Sequence, residues 1–226
     1  MPRRAHGRLP RPVVKALLAC GIAYPVGYVV ANDVVAASFY PGYCRRDQAV
    51  SELSARGAPT RRLLTTLLPP FTALGTGFGL GVWSVAGGRP ALRATGGALV
   101  ASGVTTIAWL PFPMSPRGDI ASGAAGRSDL GHLVLSGLTV AEILALFGSG
   151  AAAYGNGFRA YSALSAATVL TSGALTSRQA ARLAKGQPTP RMGLYERVSI
   201  GTWLLWMAVL AVRLLREQDP PGTMGP

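Results

Sequence analysis

Charged positions along this chain are bunched, and the stretches between them are long and apolar. Residues 16–32, 63–88, 94–116, 160–177 and 198–212 carry no Asp, Glu, Lys or Arg, and residues 133–158 carry one, Glu142. A helix needs roughly 20 apolar residues to cross a bilayer, and about 17 suffice when flanking charges snorkel to the headgroups. The windows predict six membrane-spanning helices, at about 14–35, 63–86, 94–113, 131–154, 160–177 and 195–215. The sixth window is short, but Arg197 and Arg213 at its ends can reach the headgroups. No span has the charged outer face of a soluble helix. The expected fold class is therefore all-α: a polytopic membrane helical bundle of six transmembrane helices. A basic leader over 1–13 precedes the six-span domain over 14–215, and a flexible tail over 216–226 follows it.

Composition agrees. Of 226 residues, 49 % are hydrophobic and 14 % charged, against about 25 % charged in ordinary soluble domains. Mean hydropathy is +0.32. The leader's Arg3, Arg4, Arg8, Arg11 and Lys15 would suit a signal peptide. The apolar stretch after them is too long, however, and it contains Tyr24, Pro25 and Tyr28, so the first span is read as retained. The net charge of +13 does not indicate nucleic acid, because the basic residues lie at span ends without aromatic interleaving. They suit anchoring to anionic lipid. The bilayer is the expected partner, with no nucleic acid.

Six spans put both termini on one side. Lys and Arg favour neither side decisively, with 10 on the side of the termini and 12 opposite. The short basic leader places the termini in the cytoplasm, in a multi-pass protein of the cell membrane. Acidic residues are one-sided: Asp33, Asp47, Glu52, Asp119, Asp129 and Glu196 all fall opposite the termini. Tyr24, Tyr28 and Asn32, four apart, lead along one helical face toward Asp33. In the fourth span Asp129, His132, Ser136, Thr139 and Glu142 fall within an arc of about 140°. A charge at mid-membrane costs at least about 2.5–3.5 kcal/mol, so this stripe is expected to face the bundle interior or a wet cavity. Milder stripes run through Tyr161, Ser165, Thr168 and Ser172, and through Glu196, Ser199 and Thr202.

Gly75 with Gly79, and Gly77 with Gly81, are small-xxx-small pairs that admit close helix approach. Pro69 and Pro70 should kink the second span. In the first connection Ala49, Val50 and Leu53 recur at helical spacing, which suits either a short amphipathic helix on the outer surface or an irregular loop. The fifth connection, 178–192, reads as a basic surface loop. Cys20 and Cys44 lie at different depths and are expected as free thiols.

The order of several short motifs resembles the domain of unknown function 998 family. They are Pro41-Gly42-Tyr43, Ala49-Val50-Ser51-Glu52-Leu53, Pro111-Phe112-Pro113, Gly131-His132-Leu133, and Gly193-Leu194-Tyr195-Glu196-Arg197 with Trp206 beyond it. The resemblance covers about 14–215. It implies a small prokaryotic integral membrane protein without a settled activity, and it points to Ser51, Glu52, His132, Glu196 and Arg197. The same cluster is similar to membrane hydrolases of the alkaline ceramidase type, which place a Ser, an Asp and three His at one membrane face. This chain lacks two of those His.

An outward polar pocket is thus expected from Asp33, Ser51, Glu52, Asp129, His132, Glu196 and Arg197, with Glu142 as an intramembrane acid. Arg197 is expected to pair with an acid, since an unpaired buried charge is costly. No residue is assigned as catalytic, no cofactor is assigned and no metal site is expected. Three functions remain open: binding or transport of a small polar or lipid ligand, a membrane-embedded metal-dependent lipid hydrolase, or a structural or accessory subunit.

Overall fold

The computed structural model describes residues 9–219; the first eight residues of the basic leader and most of the tail lie outside them. Seven helices and no strands are present among the described residues. They are α1 (Arg11–Phe39), α2 (Arg61–Val85), α3 (Pro90–Thr105), α4 (Arg117–Ala121), α5 (Arg127–Ala153), α6 (Asn156–Leu183) and α7 (Met192–Gln218). Four of them, α1, α2, α5 and α7, are long and apolar enough to cross a membrane. The chain is an all-helical membrane protein.

Several boundaries differ from the sequence expectation, each for a local reason. The first helix reaches Phe39 because its hydrogen bonds widen by one residue over Val30–Ala36, which carries the helix past Asp33. The predicted kink in α2 falls at Leu67, just before Pro69 and Pro70, whose missing N–H groups interrupt the ladder. The third helix tightens into a 3₁₀ turn over Thr106–Trp109 and ends before Pro111, short of the expected residue 113. The sixth helix runs on to Leu183, so the surface loop expected over 178–192 is confined to 184–191.

The six long helices form a closed ring. Neighbours are α1–α2, α2–α3, α3–α5, α5–α6 and α6–α7, and α7 returns to α1. At the centre lie Trp206, Phe78, Leu18, Leu92, Leu99, Phe147, Leu210 and Leu214, all fully buried. Bulky aliphatics point outward, among them Val26 and Val34 on α1, Leu133 and Leu138 on α5, Leu164 on α6 and Leu205 on α7. Water would not tolerate so large an apolar surface, but lipid does.

Small residues set the helix spacing. A Cβ on Gly75 would lie 3.1 Å from the Gly103 Cα, and one on Gly79 2.9 Å from the Gly96 carbonyl, so this glycine pair faces α3. The Gly77–Gly81 pair faces α1, where a Cβ on Gly81 would sit 3.0 Å from the Leu17 backbone. Within lipid there is little hydrophobic drive between helices, and such close packing supplies much of the attraction.

The two ends of the ring differ. At one, the start of α1 meets the end of α7: Arg11 and Lys15 bond Asp219 at 2.7 and 2.6 Å. Arg89 reaches Glu217 at 3.1 Å, and the Arg213 guanidinium lies 4.0 Å from the Tyr154 ring centroid. At the other, residues 40–60 and 110–126 fold over the bundle as a cap. Its turn over Val50–Ser54 is 3₁₀ and not a surface amphipathic helix, because Val50 and Leu53 are buried against Ala31, Ala36 and Phe71, and Ala49 is buried too.

Candidate functional site: a polar network under the cap

The residues singled out in the sequence separate into two hydrogen-bonded groups. The first joins the cap to α1 and α7. Arg197 Nε donates to Asp33 at 2.6 Å, and its Nη2 donates to the Tyr43 hydroxyl at 2.9 Å. Its Nη1 serves the carbonyls of Arg45 and Gly193 at 2.6 and 3.2 Å. Glu196 accepts from the Val50 N–H and, at 3.1 Å, from the Ser51 hydroxyl. One turn of α7 thus carries an acid and a base that hold different parts of the same cap. Burial pushes the Tyr43 hydroxyl up to about 12, against the opposing pull of Arg197, so it is neutral at physiological pH.

Glu52 is the most enclosed charge, its side chain 4 % exposed. It accepts from the Ala49 N–H at 2.9 Å and from Gln48 Nε2 at 3.0 Å. Arg117 grips it with both sides of its fork, Nη2 to Oε1 at 2.6 Å and Nε to Oε2 at 3.1 Å. Arg117 also bonds the Thr189 hydroxyl at 2.6 Å and the Asp47 carbonyl at 3.2 Å. Asp47 in turn accepts the Arg191 N–H at 2.7 Å. That bond holds the Asp47 carboxyl below its ordinary range, with burial opposing and Arg46 helping. The sequence reading missed Arg117 and Thr189, and it named Asp47 only as one of the acids opposite the termini. The sole signal for Arg117 was its place among the acids of the cap side, since it lies 65 residues from Glu52.

The second group fastens the connection between α3 and α5. Asp129 accepts from the Ser115 N–H and hydroxyl, each at 2.7 Å, and from the Gly126 N–H at 2.9 Å. It therefore caps the start of α5 and pins the loop together. His132 Nδ1 lies 3.1 Å from the Phe112 carbonyl. A carbonyl only accepts, so Nδ1 carries the proton. The imidazole meets the Trp109 ring edge-on, with centroids 4.9 Å apart. Asp129 and His132 therefore do not join the Glu52–Glu196–Arg197 network by hydrogen bonds.

The stripe expected along the fourth span turns inward only at its start. Asp129 is buried, while His132, Ser136, Thr139 and Glu142 are half-exposed and α5 buries Ile143, Leu146 and Phe147 instead. The Ser136 hydroxyl bonds its own helix at the His132 carbonyl. None of the ion pairs among the described residues includes Glu142. No group of three His, Cys, Asp or Glu suited to a metal is present among the described residues. Cys20 and Cys44 are free thiols.

The short motifs fit each other in space. A Cβ on Gly131 would collide with the Phe112 ring, which ties Gly131-His132 to Pro111-Phe112-Pro113. A Cβ on Gly193 would collide with the carbonyls of Arg45 and Gln48, which seats the first connection on the first turn of α7. Leu194 N–H then donates to the Arg46 carbonyl at 3.0 Å. The model of the family "Protein of unknown function (DUF998)" matches residues 17–213. The chain belongs to this family. No curated protein and no solved structure matches it. Membership in this family covers all six helices of the ring and both halves of the cap.

Proposed function

We propose that this DUF998 chain is a six-span protein of the cell membrane, with cytoplasmic termini, that acts as a structural or accessory membrane component whose outward cap is locked by its own polar network. The observation that carries the reading is self-satisfaction. Asp33, Glu52, Asp129 and Glu196 each meet donors from this chain, and Arg117 and Arg197 have acceptors on both sides of the fork. A pocket awaiting a polar ligand would leave some of these groups unanswered. The six-span arrangement is supported by the closed ring and by the outward aliphatics on helices beyond the four most apolar ones. On α3, Val104 faces outward, and on α6, Leu164 and Leu170. With its 3₁₀ turn, α3 spans 90–109, roughly the 20 residues a crossing needs.

Binding, transport and hydrolysis draw less support from the same geometry. Ser51 donates to a carboxylate and has no imidazole beside it, and His132 is committed to Phe112. The locked-cap reading is tested with Ser51→Cys in a chain otherwise free of Cys. The thiol should resist a membrane-impermeant maleimide, and added Arg117→Gln should make it reactive. Removing Arg117 leaves the buried Glu52 carboxylate without its counter-charge, and because the Arg117 side chain is 31 % exposed the loss is smaller than the ~3–5 kcal/mol of a fully buried pair. Rapid labelling of Ser51→Cys with Arg117 intact, slowed by a polar solute or lipid, would instead establish an open binding pocket.

A further inference from the structure

A depression of about 350 Å³ opens on the outer surface between α6 and α7, with Thr168, Thr171, Leu175, Tyr195 and Val198 on its walls. This volume lies in the range of small-ligand sites. Its hydroxyls are largely spent within their own helix: Thr168 donates to the Leu164 carbonyl at 2.9 Å and Ser172 to the Thr168 carbonyl at 2.6 Å. The walls therefore offer an apolar surface, suited to a hydrocarbon chain.

The cap-side mouth is different. Thr168, Ser172, Leu175 and Gln179 follow one another at spacings of four, three and four, so they share one face of α6. The Gln179 Oε1 is buried and has no hydrogen-bond partner. Arg178, one turn beyond Leu175, is exposed and enters no ion pair among the described residues. Arg182 and Lys185, exposed at and just beyond the cap-side end of α6, add positive charge. Glu196, beside Tyr195 of the groove wall, is turned toward Val50 and Ser51.

From this combination we infer that the α6–α7 groove binds an anionic glycerophospholipid, with one acyl chain along Leu175 and Val198 and the phosphate at the Arg178 guanidinium. A neutral or cationic amphiphile would leave the basic edge uncompensated, and a soluble anion would leave the groove empty. This site is independent of the locked network, since none of that network's ion pairs lines it.

The test is native mass spectrometry of the full chain, released from detergent after equilibration with equal amounts of phosphatidylglycerol and phosphatidylcholine of identical chains. The wild type should retain phosphatidylglycerol in excess. Arg178→Gln should lower that preference about fivefold, the effect of losing one guanidinium at a membrane surface, while Arg93→Gln at the opposite end should leave it unchanged. Val198→Trp, a replacement at an exposed position, should fill the groove and reduce both lipids without changing the unfolding temperature in lipid-free detergent. Equal retention of the two lipids by the wild type would overturn the proposal. So would an unaltered preference in Arg178→Gln, an equal loss in Arg93→Gln, or a lipid-free dimer abolished by Val198→Trp.

Discussion

Arg191 takes a left-handed backbone conformation, φ 65°, at the residue before α7. This geometry is uncommon for a residue with a Cβ, and it persists where surrounding contacts impose it. The Asp47 carboxylate on the Arg191 N–H is such a contact. Its folded-state pKa is depressed, so the stabilisation is complete above the unfolded value, about 3.9, and is lost as pH falls through the lower folded value. The detergent-solubilised protein should lose thermal stability as pH falls below about 4, and Asp47→Asn should lose measurably less over the same interval. A parallel pH profile in both proteins would show that Asp47 carries none of this dependence. Asp47 was visible in the sequence as one of six acids opposite the termini, but its role was not. Its partner is a main-chain N–H 144 residues away, and periodicity carries no information about such a contact. The pairing of Arg197 followed from the cost of an isolated charge, and the acid it meets, Asp33, was already on the same side. Arg117 was hidden because nothing in a run of Pro, Met and Ser indicates which way the cap folds.

At the level of elements, the glycines of α2 and α3 separate packing from composition. A Cβ on Gly103 would press on the Thr76 hydroxyl at 2.8 Å and on the α2 backbone, whereas one on Gly137 of α5 would meet nothing within 4 Å. Gly103→Val should therefore destabilise the protein by about 1–3 kcal/mol or more through overpacking. Gly137→Val should stay within about 0.5 kcal/mol of wild type. Chemical unfolding in detergent measures both, and equal losses would mean that helix approach is not set by Gly103. The paired glycines of α2 made this contact legible in advance. The extent of α6 was not legible, because Arg178 and Arg182 resemble the start of a loop although they lie on an exposed helical turn. The burial of the 50–54 turn was equally hidden, since a two-turn pattern does not tell whether its apolar side meets lipid or protein. The stripe of α5 failed differently. Angular spacing placed Asp129 through Glu142 on one side of the helix, but the interior is taken by Ile143, Leu146 and Phe147.

For the whole molecule, the two ends of the ring provide the orientation test. Cys44 is exposed on the cap, and Gly88 lies in the open turn between α2 and α3 at the opposite end. With the proposed orientation, an impermeant maleimide added to intact cells should label Cys44 in a Cys20→Ser background. A Gly88→Cys protein lacking both native cysteines should label only after permeabilisation. The reverse pattern would invert the protein. Charge-free windows located the six long helices of the ring, four of which are long and apolar enough to cross a membrane. They did not reveal that the helices close into a ring, because closure depends on which faces fit.

That closure orders the events of synthesis. The neighbour of α1 on one side is α7, which follows every other helix of the ring in the chain, so the ring has an open seam until α7 has been made. Until then Asp33 waits at the membrane edge without Arg197, and the Val50 turn lacks Glu196. A ribosome that stalls before residue 196 leaves a chain with an unanswered acid and a gap where α7 belongs.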